Sequence, residues 1–152
     1  MLGWMALAMA VVHPAQAQWG TLQGTYLMPG ASVAARFAGE DGAGLLLGGE
    51  LSLVSHYVNF FWFGGYVDGL YDFAAERARL SVGPELGWSA FGLDAGYVLE
   101  SAPGRWTHGV SVRPMLTIGL ASLYVRGVQQ FGTSDRFMEL GVLLKYPVEL
   151  WK

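Results

Sequence analysis

The chain has 152 residues, of which 53% are hydrophobic and 14% charged, and its formal net charge is −3. Soluble domains usually carry about 25% charged residues, so this chain has too little charge to cover an ordinary water-exposed surface. The small net charge argues against a nucleic-acid partner, and the lack of cysteine excludes disulfide and thiol chemistry. The length suits one domain with a real core.

The N-terminus has the pattern of a secretory signal. Leu2–Val12 is a short apolar segment, and Ala15-Gln16-Ala17 fits the small-residue rule for cleavage. We therefore expect a signal peptide over residues 1–17 and an exported chain. The alternative is a buried N-terminal helix.

Residues 18–30 are harder to interpret. Leu22, Tyr26 and Met28 alternate with the period of a strand, and the phase then slips at Pro29-Gly30. We interpret this segment as a lead-in or as the bulged start of the first strand.

From residue 31 onward, apolar and polar side chains alternate with a period of two, as they do in a β-strand. In GLLLGGELSLV (44–54), the leucines at 45, 47, 51 and 53 share one face, and Glu50 lies on the other. Short connections separate the segments, which makes neighbours antiparallel and leaves no room for crossover helices. The eight predicted strands are Ala31–Ala38, Gly44–Val54, Phe60–Phe73, Arg77–Trp88, Phe91–Glu100, Trp106–Leu120, Ala121–Phe131 and Phe137–Leu150.

The composition of the two faces indicates which one is inside. Charged residues within the predicted strands all lie on the polar face, among small residues and with the two signs nearly balanced. The opposite face consists almost entirely of Leu, Val and aromatic residues, which is typical of a surface that meets lipid. Aromatic residues also collect near the strand ends, as in the interfacial belts of a membrane barrel. One belt is Phe37, Phe73, Trp106, Phe131 and Phe137, and the other is Phe60, Phe61, Trp88, Phe91 and Tyr146.

This pattern resembles the small eight-stranded outer-membrane β-barrel proteins of Gram-negative bacteria. The resemblance covers Ala31 to Leu150 and is most specific in the closing strand, FMELGVLLKYPVELW. It implies an all-β fold: an eight-stranded antiparallel up-and-down transmembrane β-barrel over residues 31–152, in the cell outer membrane. The implied partners are outer-membrane lipid and the outer-membrane assembly machinery, with no nucleic acid, and we expect a monomer.

Charges confined in a narrow barrel should pair with one another. With the shortest possible turns, Glu85 lies opposite Asp94, and Asp94 lies opposite Arg113. Two facing carboxylates repel unless a cation joins them, and the planar guanidinium of Arg113 can hold more than one acceptor. We predict a structural cluster of interior charges that contains Glu50, Glu85, Asp94, Arg113, Arg126 and Glu139.

No residue pattern indicates a reaction, so we expect no enzyme, no catalytic residue, no cofactor and no metal site. His13 lies in the predicted signal, and His56 is expected in a turn. His108 and Ser111 are three residues apart, so on a strand they face opposite ways and cannot pair directly.

The expected function is a membrane-structural or interaction role in the outer membrane. One alternative is a soluble, exported, lipocalin-like barrel with its leucine face inward, which would bind an apolar ligand. The other is a lipid-modifying outer-membrane enzyme.

Overall fold

The computed structural model describes residues 23–37, 42–102, 104–132 and 135–151, so the predicted signal peptide lies outside the described residues. Across these residues the chain forms nine strands and one short 3-10 helix, Val58–Phe60. No helix in the described part is long and apolar enough to cross a membrane. The strands are β1 (Gly24–Phe37), β2 (Gly44–His56), β3 (Phe61–Asp72), β4 (Arg77–Trp88), β5 (Phe91–Ala102), β6 (Arg105–Ile118), β7 (Ala121–Gln130), β8 (Arg136–Lys145) and β9 (Val148–Trp151).

The sheet closes on itself. Each strand from β1 to β8 pairs antiparallel with the next, and β1 also pairs with β8 and β9. β8 and β9 together occupy the eighth strand position of the barrel, where the sequence predicts one continuous strand. The break lies at 146–147, since Pro147 has no N–H to donate to a ladder. The result is a closed, eight-stranded, antiparallel up-and-down barrel, which confirms the predicted fold class.

The first strand begins earlier than the period-two pattern indicated. β1 starts at Gly24, and its pairing with β2 runs without interruption from Gly24↔His56 to Arg36↔Gly44. Tyr26 and Met28 both point inward. The strand alternation therefore continues through 29–30. What changes there is the type of residue that points inward, which is apolar at this end of the barrel and charged further along.

The apolar face of the sheet is the outer surface. Leu45, Leu47, Leu51 and Leu53 are between 43% and 51% exposed, although each belongs to a long regular strand. Most of the rim aromatics are exposed as well, for example Trp106 at 72%. The other exposed rim aromatics are Phe37, Phe73, Phe131, Phe60, Phe61, Trp88, Phe91 and Tyr146. The barrel is thus apolar outside, in contrast to a water-soluble protein.

Phe137 departs from the predicted belts. It is 2% exposed and points into the barrel, where it packs with Val98 and Val128. The guanidinium groups of Arg36 and Arg79 lie 5.9 and 5.3 Å from the centre of its ring. An aromatic ring can occupy a charged interior in this way because its face attracts cations.

The two ends of the barrel differ. We call the end that holds Gly24, Trp151 and the turns at 57–60, 89–90 and 119–120 the terminal end. The other, which we call the far end, carries the connections after β1, β3, β5 and β7. At the far end, the Asp72 carboxylate accepts hydrogen bonds from the backbone N–H groups of Ala74 and Ala75, which closes a tight turn.

Candidate functional site

The barrel interior holds almost every charge of the strands. The buried charged side chains within the strands are Arg36, Glu50, Asp68, Asp72, Arg79, Glu85, Asp94, Glu100, Arg113, Arg126, Glu139 and Lys145. Arg77 is half-buried at the far end. Period-two alternation in the sequence predicts that Glu149 also points inward, but it is exposed in β9. That short strand follows the break at Pro147, where the alternation of buried and exposed residues ends.

Arg113 occupies the middle of the interior and is 1% exposed. Its Nε donates to Asp94 Oδ2 at 2.6 Å, and its Nη2 lies 2.5 Å from Glu50 Oε2. Its Nη1 lies 3.5 Å from Asp68 Oδ2. One guanidinium therefore joins three carboxylates from three strands.

Two tyrosine rings enclose this guanidinium. The centres of the Tyr66 and Tyr124 rings lie 4.9 and 5.2 Å from the Arg113 Cζ atom. The Tyr124 hydroxyl is hydrogen-bonded to that of Ser32 at 2.8 Å. Aromatic faces and paired carboxylates together offset the cost of burying the arginine charge.

Glu85 and Asp94 face each other in the β4–β5 register, but Arg113 does not bridge them. Lys145 Nζ lies 2.9 Å from Glu85 Oε2 and 2.6 Å from Glu50 Oε1. It also donates to Ser52 Oγ at 2.8 Å. The predicted cluster omitted Lys145, which comes from the closing strand. Two features of the sequence could have identified Lys145. It is the one lysine within a predicted strand, and it lies on the polar face.

Arg126 and Glu139 face each other in the β7–β8 register, yet each forms its ion pair with a residue of a different strand. Arg126 pairs with Asp68 of β3, and Glu139 pairs with Arg79 of β4. An inward side chain in a narrow barrel can reach the opposite wall, so its partner need not lie on the adjacent strand. Glu50 and Asp94 share Arg113, whereas Glu139 belongs to a separate pair nearer the far end.

The far end of the interior has its own charge pairs. Arg36 Nε lies 3.2 Å from Asp72 Oδ2, and Arg77 Nη1 donates to Glu100 Oε1 at 3.1 Å. Gln130 Nε2 donates to the same Glu100 oxygen at 3.0 Å. The interior is therefore filled by paired charges from the middle to the far end.

The terminal end contains a cavity of about 330 Å³. Its walls are largely apolar and include Met28, Val54 and Met115. Glu85 and Lys145 line it on the side of the charged interior. The turns at 57–60, 89–90 and 119–120 surround its mouth. Alternation in the sequence does not reveal this cavity, because it shows which side chains point inward but not how much space they leave.

The indole of Trp62 also lines the cavity and owes its position to two glycines. Gly87 and Gly92 are partners in the β4–β5 register, and a Cβ atom on either would meet the Trp62 ring. The glycines thus make room inside the barrel for a large aromatic side chain.

Two histidines lie among the described residues, and they lie on different strands. His56 is the last residue of β2 and not a turn residue as predicted, and its ring meets Tyr26 edge-on at 5.6 Å. His108 is exposed on the outer surface, stacked on Tyr97 at 6.2 Å. Ser111 points inward and is buried. His108 and Ser111 therefore lie on opposite faces of the sheet.

No protein-family model and no curated protein sequence matches the chain. Its structure is similar to the crystal structure of Neisserial surface protein A, with a TM-score of 0.51 and 16% sequence identity. The match covers 82% of this chain and 98% of that one. Neisserial surface protein A is an outer-membrane eight-stranded barrel. This chain therefore has the fold of the eight-stranded outer-membrane β-barrels.

Proposed function

We propose that the protein is an integral β-barrel of the bacterial outer membrane with a membrane-structural or interaction role, and that it is not an enzyme. The observation that carries this proposal is the inverted arrangement of side chains, with paired charges inside and leucine, valine and aromatic residues outside. Exposure of such an apolar surface to water is unfavourable, whereas its contact with the hydrocarbon of a membrane is favourable.

The outward leucine face supports a membrane location over a soluble barrel. A lipocalin-like protein would need Leu45, Leu51 and their neighbours inside, around an apolar ligand, and they are exposed. Soluble monomers rarely expose continuous apolar patches larger than about 300–600 Å². The fold shared with Neisserial surface protein A supports the outer membrane in particular.

The filled interior favours a structural or interaction role over transport. Between the cavity and the far end, buried residues such as Arg113, Tyr66 and Tyr124 occupy the lumen. An eight-stranded barrel is wide enough for its own side chains or for one small ligand, so a continuous water-filled pore is not expected. We infer that the barrel is monomeric and that its partners are the surrounding lipid and the machinery that assembles it.

Fractionation of cells that express the full chain tests the membrane location. We expect the protein to sediment with outer membranes, to need detergent for extraction, and to migrate differently on gels before and after heating. Recovery from the periplasm as a monodisperse protein in plain buffer would contradict the proposal.

A comparison of lipid profiles tests the non-enzymatic role. Lipid A from cells with and without the protein should be identical, because His108 and Ser111 lie on opposite faces of the sheet. A change in lipid A that His108→Ala abolishes would show an enzyme instead.

A further inference from the structure

The cavity at the terminal end lies between two groups of apolar side chains. Met28, Val54 and Trp62 pack together on one side, and Met115 forms another part of the wall. Its volume of about 330 Å³ is at the lower end of the range for small-molecule sites, and an eight-stranded barrel has room for one small ligand. The size of the cavity therefore suits a molecule of one or two rings.

The charged residues beside the cavity are already paired with one another. Neither the Glu85 nor the Glu50 side chain has exposed surface. The Lys145 ammonium has three donors. It lies 2.9 Å from Glu85 Oε2, 2.6 Å from Glu50 Oε1 and 2.8 Å from Ser52 Oγ. A cation would find no open carboxylate here, and an anion would find no unused donor on Lys145, so the floor of the cavity selects against ions of either sign.

Polar side chains closer to the mouth also have partners. The hydroxyls of Thr117 and Ser122, which both line the cavity, are hydrogen-bonded to each other at 2.8 Å. His56 lies between two aromatic rings, with its ring centre 5.6 Å from that of Tyr26 and 6.3 Å from that of Trp62. The surface that the wall offers to a ligand is therefore mainly apolar and aromatic.

The side chains of the wall favour an aromatic ligand over an aliphatic one. The Trp62 indole can pack against a second ring, and such contacts add to the gain from apolar burial. The sulfur atoms of Met28 and Met115 can make further favourable contacts with a ring. Methionine side chains are also unbranched and flexible, so this wall can adapt to the shape of the ligand.

We propose that this cavity binds one small, uncharged, aromatic molecule, whose ring lies against Trp62, Met28 and Met115. The mouth lies among the turns of the terminal end, so in the orientation expected for an outer-membrane barrel it opens to the periplasm. This inference goes beyond the proposed function, which assigns no ligand.

Three probes of similar shape test the charge preference. The para-bromo derivatives of benzyl alcohol, benzylammonium and benzoate are uncharged, cationic and anionic. Each is titrated at neutral pH into the barrel in nanodiscs of zwitterionic lipid, where bromine quenches the fluorescence of a tryptophan that it contacts. The alcohol should saturate one site and bind at least about tenfold more tightly than either ion, because a buried charge without a partner is costly. An ion that binds as tightly as the alcohol would overturn the proposal.

Two single-tryptophan variants locate the probe. One keeps Trp62 and the other keeps Trp106, which is exposed on the outer surface, and phenylalanine replaces the other tryptophans after residue 17. Quenching of Trp62 by the alcohol should saturate, whereas quenching of Trp106 should rise steadily as the probe partitions into lipid. Unsaturated quenching of both tryptophans would mean lipid partition only and would overturn the proposal.

Competition tests the preference for a ring with aromatic character. Benzyl alcohol should displace the brominated alcohol from Trp62 about threefold to tenfold more effectively than cyclohexylmethanol, because only the aromatic ring gains the additional contacts with indole and thioether groups. Equal displacement by the two alcohols would overturn the proposal.

A large side chain at the mouth should exclude the ligand. Ala90 lines the cavity, so Ala90→Phe should weaken the brominated alcohol at least about tenfold. Ala74→Phe is the matched control, because Ala74 lies exposed in a far-end turn, and it should bind as the unsubstituted chain does. Unchanged binding in Ala90→Phe would overturn the proposal.

Heat-modifiable migration shows that each variant is folded. Calorimetry on the unsubstituted chain ranks the same three probes, so the test does not depend on any one variant. Absence of saturable binding to a folded, lipid-embedded barrel would overturn this inference and leave the proposed function standing.

Discussion

Arg113 holds the centre of the charged interior together. It lies within ion-pair distance of Asp94, Glu50 and Asp68, and almost none of its surface is exposed. Removing the cation would leave these carboxylates facing one another in a space that water hardly enters. Breaking a buried ion pair by removing one partner is far more costly than breaking a surface pair.

We therefore expect Arg113→Ala to lower the free energy of unfolding by about 3–5 kcal/mol. Arg105→Ala is the control, since Arg105 is exposed at the start of β6, and it should change stability by less than about 0.5 kcal/mol. Urea titration of the barrel in lipid vesicles measures both. Equal unfolding free energies would show that the buried network does not stabilise the barrel.

Gly87 makes room for Trp62, as described above, so a methyl group at this position has no space. We expect Gly87→Ala to destabilise the barrel by about 1–3 kcal/mol, the usual cost of overpacking. Gly69→Ala is the matched control, because nothing lies within 4 Å of the added atom. The same urea titration compares them. A neutral Gly87→Ala would mean that the indole and the backbone carbonyl of Phe91, which the new methyl group would also meet, can both move aside at little cost.

At the scale of the strands, alternation assigns each side chain to the outer surface or to the interior. β2 shows this clearly, because Leu45, Leu47, Leu51 and Leu53 are exposed while most residues of the other parity are buried, among them Leu46, Glu50, Ser52 and Val54. Leu51 lies midway along β2, opposite Val67, and Leu45 lies near its far-end start. The two leucines therefore lie on the same outer face, at different distances from the ends of the strand.

Arginine substitutions at these leucines should differ in cost according to depth. Leu51→Arg should destabilise the barrel by about 2–4 kcal/mol, and Leu45→Arg by about 0–1 kcal/mol, because a charge near the interface can reach water. Unfolding titrations in lipid vesicles give both values. If both substitutions are neutral, then this face does not meet hydrocarbon.

At the scale of the whole molecule, the even number of barrel strands places Gly24 and Trp151, the first and last strand residues, at one end of the barrel. If both ends lie in the periplasm, the far-end connections face out of the cell. These include the turn at 73–76, whereas the turn at 89–90 lies at the terminal end.

Single cysteines can test this orientation, since the chain contains no cysteine. A membrane-impermeant maleimide should label Ala74→Cys on intact cells, because Ala74 lies exposed in a far-end turn. Ala90→Cys should be labelled only after the outer membrane is permeabilised. The reverse pattern would show that the barrel has the opposite orientation.

The sequence by itself determined the fold class and the direction in which most side chains point. Period-two alternation decides whether a residue such as Glu50 or Leu51 faces in or out, and short turns bring neighbouring strands into register. The neighbour pairing of Asp94 with Arg113 follows from these two features alone.

Only the tertiary structure decided which charges meet across the lumen. The contact of Lys145 with Glu85 joins the closing strand to β4, and that of Arg79 with Glu139 joins β4 to β8. Such contacts depend on how strands that are not neighbours are staggered when the barrel closes, which local alternation does not specify. The same closure left the cavity beside Trp62, because the space within a barrel is set by all its strands together.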